Sequence, residues 1–155
     1  MTLAELLTPA HVIAELQSGE HLPAIEEMVE HLVEVEALPE SQKTSALEAL
    51  RAREDQRSTG IGGGVAIPHA FLPDLEEVVA IFARSKSGID FCALDRAPVH
   101  FVVLFIVPES QYTMHLKTLA AIAKILNSAD TRKRLADAAN ETEIIEILSQ
   151  RAAAV

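Results

Sequence analysis

The stretch Ser58-Thr59-Gly60-Ile61-Gly62-Gly63-Gly64-Val65-Ala66-Ile67-Pro68-His69-Ala70 holds a pair of hydroxyls, a run of glycines and a histidine placed directly after a proline. Glycine-rich turns let backbone N–H groups approach an anion closely. Gly62, Gly63 and Gly64 are therefore candidate phosphate donors, together with the hydroxyls of Ser58 and Thr59. Pro68 fixes its own φ and restricts Ile67, so the backbone enters His69 stiffly. Neutral imidazole is a nucleophile near pH 7. A histidine mounted in this way suits a nucleophile that carries a phosphoryl group. Two rival phosphate motifs fail on residue type. A Walker A loop requires Gly-Lys followed by Ser or Thr, and no lysine follows these glycines. The dinucleotide fingerprint requires a third glycine three residues after the second. Counted from Gly60 and Gly62, that place holds Val65.

The surrounding elements must position this stretch. Val12 to Leu16 reads as a short edge strand. Ile25, Met28, Val29, Leu32 and Val33 recur at i, i+3, i+4, i+7 and i+8, the mark of a helix with one buried stripe. Pro23 near its start costs little. After Pro39 a second helix is expected from about Ser41 to Arg53, burying Ala46, Leu47 and Leu50. Val65-Ala66-Ile67 reads as a short strand ended by Pro68. Val78 to Ala83 and Val99 to Val107 are continuous apolar runs, as in strands covered on both faces. Thr113 is a candidate cap for a helix with a stripe of Leu116, Leu119, Ala120, Ala123 and Leu126. Asp130 or Thr131 is a candidate cap for a short helix. Asn140 with Glu143 resembles a capping box for a last helix carrying Ile144, Ile147 and Leu148. The tail Ala152 to Val155 is expected to fray. This order implies one α/β domain over residues 1–155, a mixed sheet with helices packed against it.

Composition narrows the function class. Hydrophobic residues make up 49% of the chain, too many for a disordered protein. Cys92 is the only cysteine, so no disulfide scaffold forms. The longest strongly apolar run, Phe101 to Val107, falls far short of the ~20 residues that span a bilayer. The first residues lack a signal-peptide pattern. A cytoplasmic protein without direct membrane insertion is expected. Lys and Arg number 13 against 23 Asp and Glu, a formal charge of −10. Nucleic-acid binders carry a basic stripe. The densest basic cluster here, Arg132-Lys133-Arg134, reads as the solvated face of a helix, so no nucleic acid is expected.

The ordered set Ser58-Thr59-Gly60-Ile61-Gly62 and Ala66-Ile67-Pro68-His69 resembles the active-site signature of the enzyme IIA family of the bacterial phosphoenolpyruvate-dependent sugar phosphotransferase system, in its fructose/mannitol and nitrogen-regulatory subtype. The likeness includes Leu6-Leu7-Thr8-Pro9, Arg53-Glu54, Leu94-Asp95, Pro98-Val99, Val107-Pro108-Glu109 and His115-Leu116-Lys117-Thr118-Leu119-Ala120. The resemblance implies the family's fold and a phosphoryl group taken from the carrier HPr onto His69, through Nε2. It implies His115 as the second active-site histidine and Arg53 as the arginine that steadies the phosphoryl oxygens. No cofactor or metal is implied. Sugar-transporting members pass the group to a cysteine of an enzyme IIB domain. Nitrogen-regulatory members bind target proteins according to phosphorylation state. A chain ending soon after the domain favours the nitrogen-regulatory style. Gly63 departs from the Asn of many relatives, and Arg96 from the usual Gly.

Other readings remain beside this one. The chain is alternatively a non-catalytic regulator that keeps the fold and binds proteins. A metal-dependent hydrolase using His69 and His115 lacks an H-E-x-x-H pattern or another ligand cluster. Asp95 reads as a turn residue. Cys92 reads as a small buried hydrophobe rather than a nucleophile. His11, His21, His31 and His100 read as surface or packing residues.

Overall fold

The computed structural model describes residues 6–93 and 95–154, with backbone alone for 151–154. In chain order the elements are β1 (Val12–Ile13), α1 (His21–Glu34), α2 (Lys43–Gln56), β2 (Gly60–Gly62), β3 (Val65–Ala66), β4 (His69–Leu72), β5 (Val79–Ile89), β6 (Val99–Pro108), α3 (Tyr112–Leu126), α4 (Ala129–Asp137) and α5 (Glu141–Ala154). The sheet order is β1-β5-β6-β3-β2, and β4 also pairs with β6. β5 runs antiparallel to β6, whereas β3 and β4 run parallel to it, one after the other along the same edge. The sheet is therefore mixed, as expected.

Alternation along β6 splits the core in two, because successive strand residues point to opposite faces. Val102, Leu104 and Ile106 pack with Met28 and Leu32 of α1 and Leu50 of α2. Phe101, Val103, Phe105 and Val107 pack with Ile122 of α3, Leu135 of α4 and Ile144 and Leu148 of α5. Helices thus cover both faces, which is why β6 reads as an unbroken apolar run.

Most expected elements are present, with informative differences. β1 is an edge strand, shorter than Val12 to Leu16. α2 begins after a tight turn at Glu40–Gln42, and Leu47 is only half-buried. β5 continues past Ala83 to Ile89 because its polar residues Arg84 and Ser85 are buried. Arg84 donates from Nε to the Ala14 carbonyl at 2.9 Å, and from Nη1 to Leu135 and Ala138 carbonyls at 2.9 and 2.7 Å. It thereby satisfies the last carbonyls of α4, where a cation also suits the helix dipole. α3 is preceded by Gln111, so Thr113 lies inside the helix and is not its cap. The cap of α4 is Ser128, whose hydroxyl accepts from Thr131 N–H, rather than Asp130 or Thr131. Asn140 Oδ1 accepts from Glu143 N–H as expected, while the Glu143 carboxylate reaches back to Ala139 N–H. Helix α5 runs through Ala154, so Ala152 to Ala154 do not leave it. Leu94 and Val155 lie outside the described residues. No helix among the described residues is long and apolar enough to cross a membrane.

Candidate phosphoryl-acceptor site

Strand register sets the direction of His69. Ala70 and Leu72 join the core beneath α1 and α2, so the alternate residues His69 and Phe71 project toward α3. The backbone beneath them is anchored. His69 pairs with Phe105, and Phe105 N–H donates to the Pro68 carbonyl at 3.0 Å. Pro68, which has no N–H to leave unpaired, occupies the break between β3 and β4.

His69 Nδ1 lies 2.8 Å from the Ile67 carbonyl oxygen. A carbonyl only accepts, so Nδ1 carries the proton and Nε2 keeps its lone pair. Burial lowers the pKa of His69 from 6.5, and the Arg53 guanidinium lowers it further. The Ile67 carbonyl and the Glu54 carboxylate pull the other way without reversing the shift. The ring is half-buried and neutral at pH 7.

A hydrogen-bonded chain leads from this ring to a buried carboxylate. Glu54, in the last turn of α2, is buried, and its Oε1 accepts from both the N–H and the hydroxyl of Thr59. Ile67 N–H donates to the Thr59 carbonyl at 3.0 Å, and the Ile67 carbonyl holds His69. The sequence offers one hint of this role. A glutamate in the last turn opposes the helix dipole and calls for another reason to be there.

Arg53, Ser58, Thr59 and His69 line one cleft of about 360 Å³, closed on the other side by Leu119, Ala120 and Ala123 of α3. Those three belong to the stripe expected to be buried. The residues actually buried on α3 are His115, Ile122, Ile125 and Leu126. The helix is apolar on two faces because one faces the core and the other walls the cleft. Arg53 spends one N–H on the Arg57 carbonyl at 2.7 Å. A guanidinium has five N–H donors.

Three expectations need correction. The Ser58 hydroxyl donates to the Phe91 carbonyl and accepts from Gly60 N–H, and the Thr59 hydroxyl donates to Glu54. Both hydroxyl protons are committed to shaping the loop and are not free phosphate donors. Gly62, Gly63 and Gly64 do not line the His69 cleft. Gly63 and Gly64 have φ of 67° and 82°, the positive pair that a two-residue hairpin turn requires. Gly63 N–H is taken by Asp95 Oδ2 at 3.1 Å. Cys92 is exposed, with φ of 52°, rather than buried. Asp95 is the turn residue expected. Its Oδ1 accepts from Ala97 N–H, and the bonds from Ala97 and Gly63 lower its pKa. Arg96 holds φ of 59°, a conformation that explains why glycine suits that place.

His115 lies four residues before Leu119, on the same face of α3, but is not among the residues lining the cleft. The residue is 1% exposed. Nε2 is 3.0 Å from Gln111 Oε1, and Nδ1 is buried without a hydrogen-bond partner among the described residues. Burial lowers its pKa. Phe71 bridges the two elements, with its ring 6.2 Å from His69 and 4.7 Å from Tyr112 at the start of α3. Ile61, which lines the cleft, and Tyr112, Met114 and Leu116 in the first turns of α3 are large apolar side chains left about half exposed, an apolar rim that sequence reasoning missed, since Leu116 belongs to the stripe expected to be buried. His11, His31 and His100 each bond a backbone carbonyl, as packing residues do. Among the described residues no three His, Cys, Asp or Glu side chains are grouped to hold a metal ion.

Comparison with known proteins shows the family of the chain and agrees with its fold. The nitrogen regulatory protein of Bradyrhizobium diazoefficiens is 34% identical over 149 residues, covering 96% of this chain and 95% of its own. The fructose-specific EIIABC component of Bacillus subtilis is 37% identical over 150 residues, and there the chain spans only 23% of the relative's length. The crystal structure of nitrogen regulatory protein IIA-Ntr from Neisseria meningitidis superposes with a TM-score of 0.86 at 29% identity, covering 94% of this chain and 98% of that one. Residues 5–151 match the family described as "Phosphoenolpyruvate-dependent sugar phosphotransferase system, EIIA 2". The rigid strand that presents a neutral histidine and the helix that walls its cleft therefore sit in a chain that belongs to the EIIA type-2 family of that phosphotransferase system.

Proposed function

We propose that this chain is a phosphocarrier whose acceptor atom is Nε2 of His69, charged by a phosphohistidine on an HPr-type protein. The observation that carries the proposal is the Nδ1–H bond to the Ile67 carbonyl, which leaves Nε2 with its lone pair. That lone pair attacks phosphorus as the bond from phosphorus to the donor imidazole breaks, and the donor ring keeps the electron pair. Phosphorylated His69 retains its Nδ1 proton, and the Ile67 carbonyl stabilises the charge that builds on the ring. Transfer of this kind depends on positioning and on stabilising the equatorial oxygens. Arg53 supplies that stabilisation in a forked geometry. His115, one turn before the cleft-lining Leu119 on α3, is the second histidine of this reading, and its ring must turn outward from its buried position to reach the phosphoryl group. The apolar rim of Ile61, Tyr112, Met114 and Leu116 suits docking of a protein donor.

The group then passes to a cysteine of an enzyme IIB domain, or its presence governs binding to regulated targets. The similarity to several nitrogen regulatory proteins supports the second outcome. Incubation with phospho-HPr should place an acid-labile phosphate on the chain, with phosphorus–nitrogen coupling at Nε2 of His69 by NMR. His69→Ala should abolish it. Label that persists in that variant refutes the acceptor.

A further inference from the structure

Two sequence features stand outside the His69 cleft, the basic triplet beginning at Arg132 and the glycine turn, and the fold brings them together. A second concavity of about 400 Å³ lies between β5, β6 and α4, lined by Arg84, Lys86, His100, Phe101, Arg132 and Lys133, together with Ser85 and Ala136. Among the described residues no carboxylate lines it, although the chain carries a formal charge of −10. A carboxylate contact to this group comes from Glu15 Oε1, which accepts from the Lys86 backbone N–H at 3.2 Å. Cations gathered in one concavity repel one another, and the repulsion is larger where water is partly excluded.

The placement of these cations is specific. Arg84 is 4% exposed, and its bonds to carbonyls use Nε and Nη1, so Nη2 takes no part in them. Its full charge is thus held at the edge of the concavity by neutral groups. Arg132 is fixed by the Leu126 carbonyl at 2.8 Å. A Cβ at Gly63 would stand in van der Waals contact, 3.4 Å from its guanidinium, and one at Gly64 would stand 3.6 Å from His100. The turn therefore lies directly against both side chains, and its positive φ values are what call for glycine. Lys86 and Lys133 are exposed.

We infer that this concavity is a second anion site, which takes a small phosphorylated organic molecule of nucleotide or sugar-phosphate size. Its phosphate meets Lys86, Arg132 and Lys133, and its organic body lies against Phe101. The volume falls within the range of small-ligand sites and exceeds what a bare phosphate fills. The site is separate from the phosphoryl acceptor. Phe101 precedes Phe105, the partner of His69, by four residues of β6, about 13 Å along the strand.

The test is an NMR titration of the full chain with adenosine monophosphate, ribose 5-phosphate and inorganic phosphate in separate arms. Saturable shifts at Lys86, His100, Arg132 and Lys133 are expected in the organic arms, with inorganic phosphate weaker by about tenfold. Lys133→Glu, and separately Ala136→Trp to fill the space, should each weaken binding by about tenfold or more and leave phosphorylation of His69 unchanged. Three results would overturn the inference: no saturable shift below about 10 mM, shifts confined to Arg53 and His69, or affinity unaltered in both variants. Inorganic phosphate binding as tightly as the nucleotide would overturn the role of the organic body.

Discussion

A main-chain carbonyl decides which nitrogen of His69 holds a lone pair, and burial, adjusted by two charged neighbours, sets how readily that nitrogen is protonated. Arg53 lowers the pKa of His69 and Glu54 raises it. Arg53→Gln should therefore raise the His69 pKa, and Glu54→Gln should lower it further, both measured by NMR titration of the ring. Shifts of the same sign in the two variants would contradict the placement. The variants should also differ in kinetics. On the role proposed for Arg53, Arg53→Gln should lose about a hundredfold in phosphoryl-transfer rate. Glu54→Gln keeps an acceptor for Thr59, so its rate should fall by much less. Glu54 acts as a positioning residue, through Thr59 and Ile67, and touches no reacting atom.

Helix α3 does two jobs at the level of the element, since one face seals the core and another walls the cleft. The exposed rim at its start, with Ile61 from the hairpin, is where a protein partner gains most by desolvation. Ile61→Ser combined with Met114→Ser should raise the KM for phospho-HPr by about tenfold with kcat little changed. A fall in kcat at constant KM would place these residues in the chemistry instead. Arg84 is the corresponding anchor for α4. Removing it leaves the Ala14, Leu135 and Ala138 carbonyls without their donor. Arg84→Met should cost about 3 kcal/mol of stability in urea unfolding.

For the whole molecule, burial lowers the pKa values of both His69 and His115. The unfolded chain binds protons at these rings near pH 6.5, and the folded chain binds them only at lower pH. Their contribution to stability is complete above pH 6.5 and is lost as pH falls through the lowered folded-state values. Denaturant midpoints measured at about pH 7.5 and 5.5 should fall for the unaltered chain, and by less for His69→Gln. The difference between the two proteins isolates the ring from the changing net charge. Equal falls would show that His69 titrates alike in both states.

The chain's own residue order determined a good deal of this protein. Apolar periodicity marked α1, α2 and α5, and β6 was legible because helices on both faces demand an unbroken apolar run. The Ser58-to-His69 stretch identified the acceptor candidate because its constraints are local, in a proline, a run of glycines and a neighbouring histidine. Tertiary structure alone decided the partners of those residues. It committed the Ser58 and Thr59 hydroxyls to the loop, carried Gly62 to Gly64 away from His69 and toward Arg132, extended β5 through a buried arginine, and turned His115 inward on α3. Each of these depends on atoms far apart in the chain, such as Ser58 with Phe91 and Arg84 with Leu135. A buried polar group must find a partner wherever the fold provides one, and no local pattern records where that is.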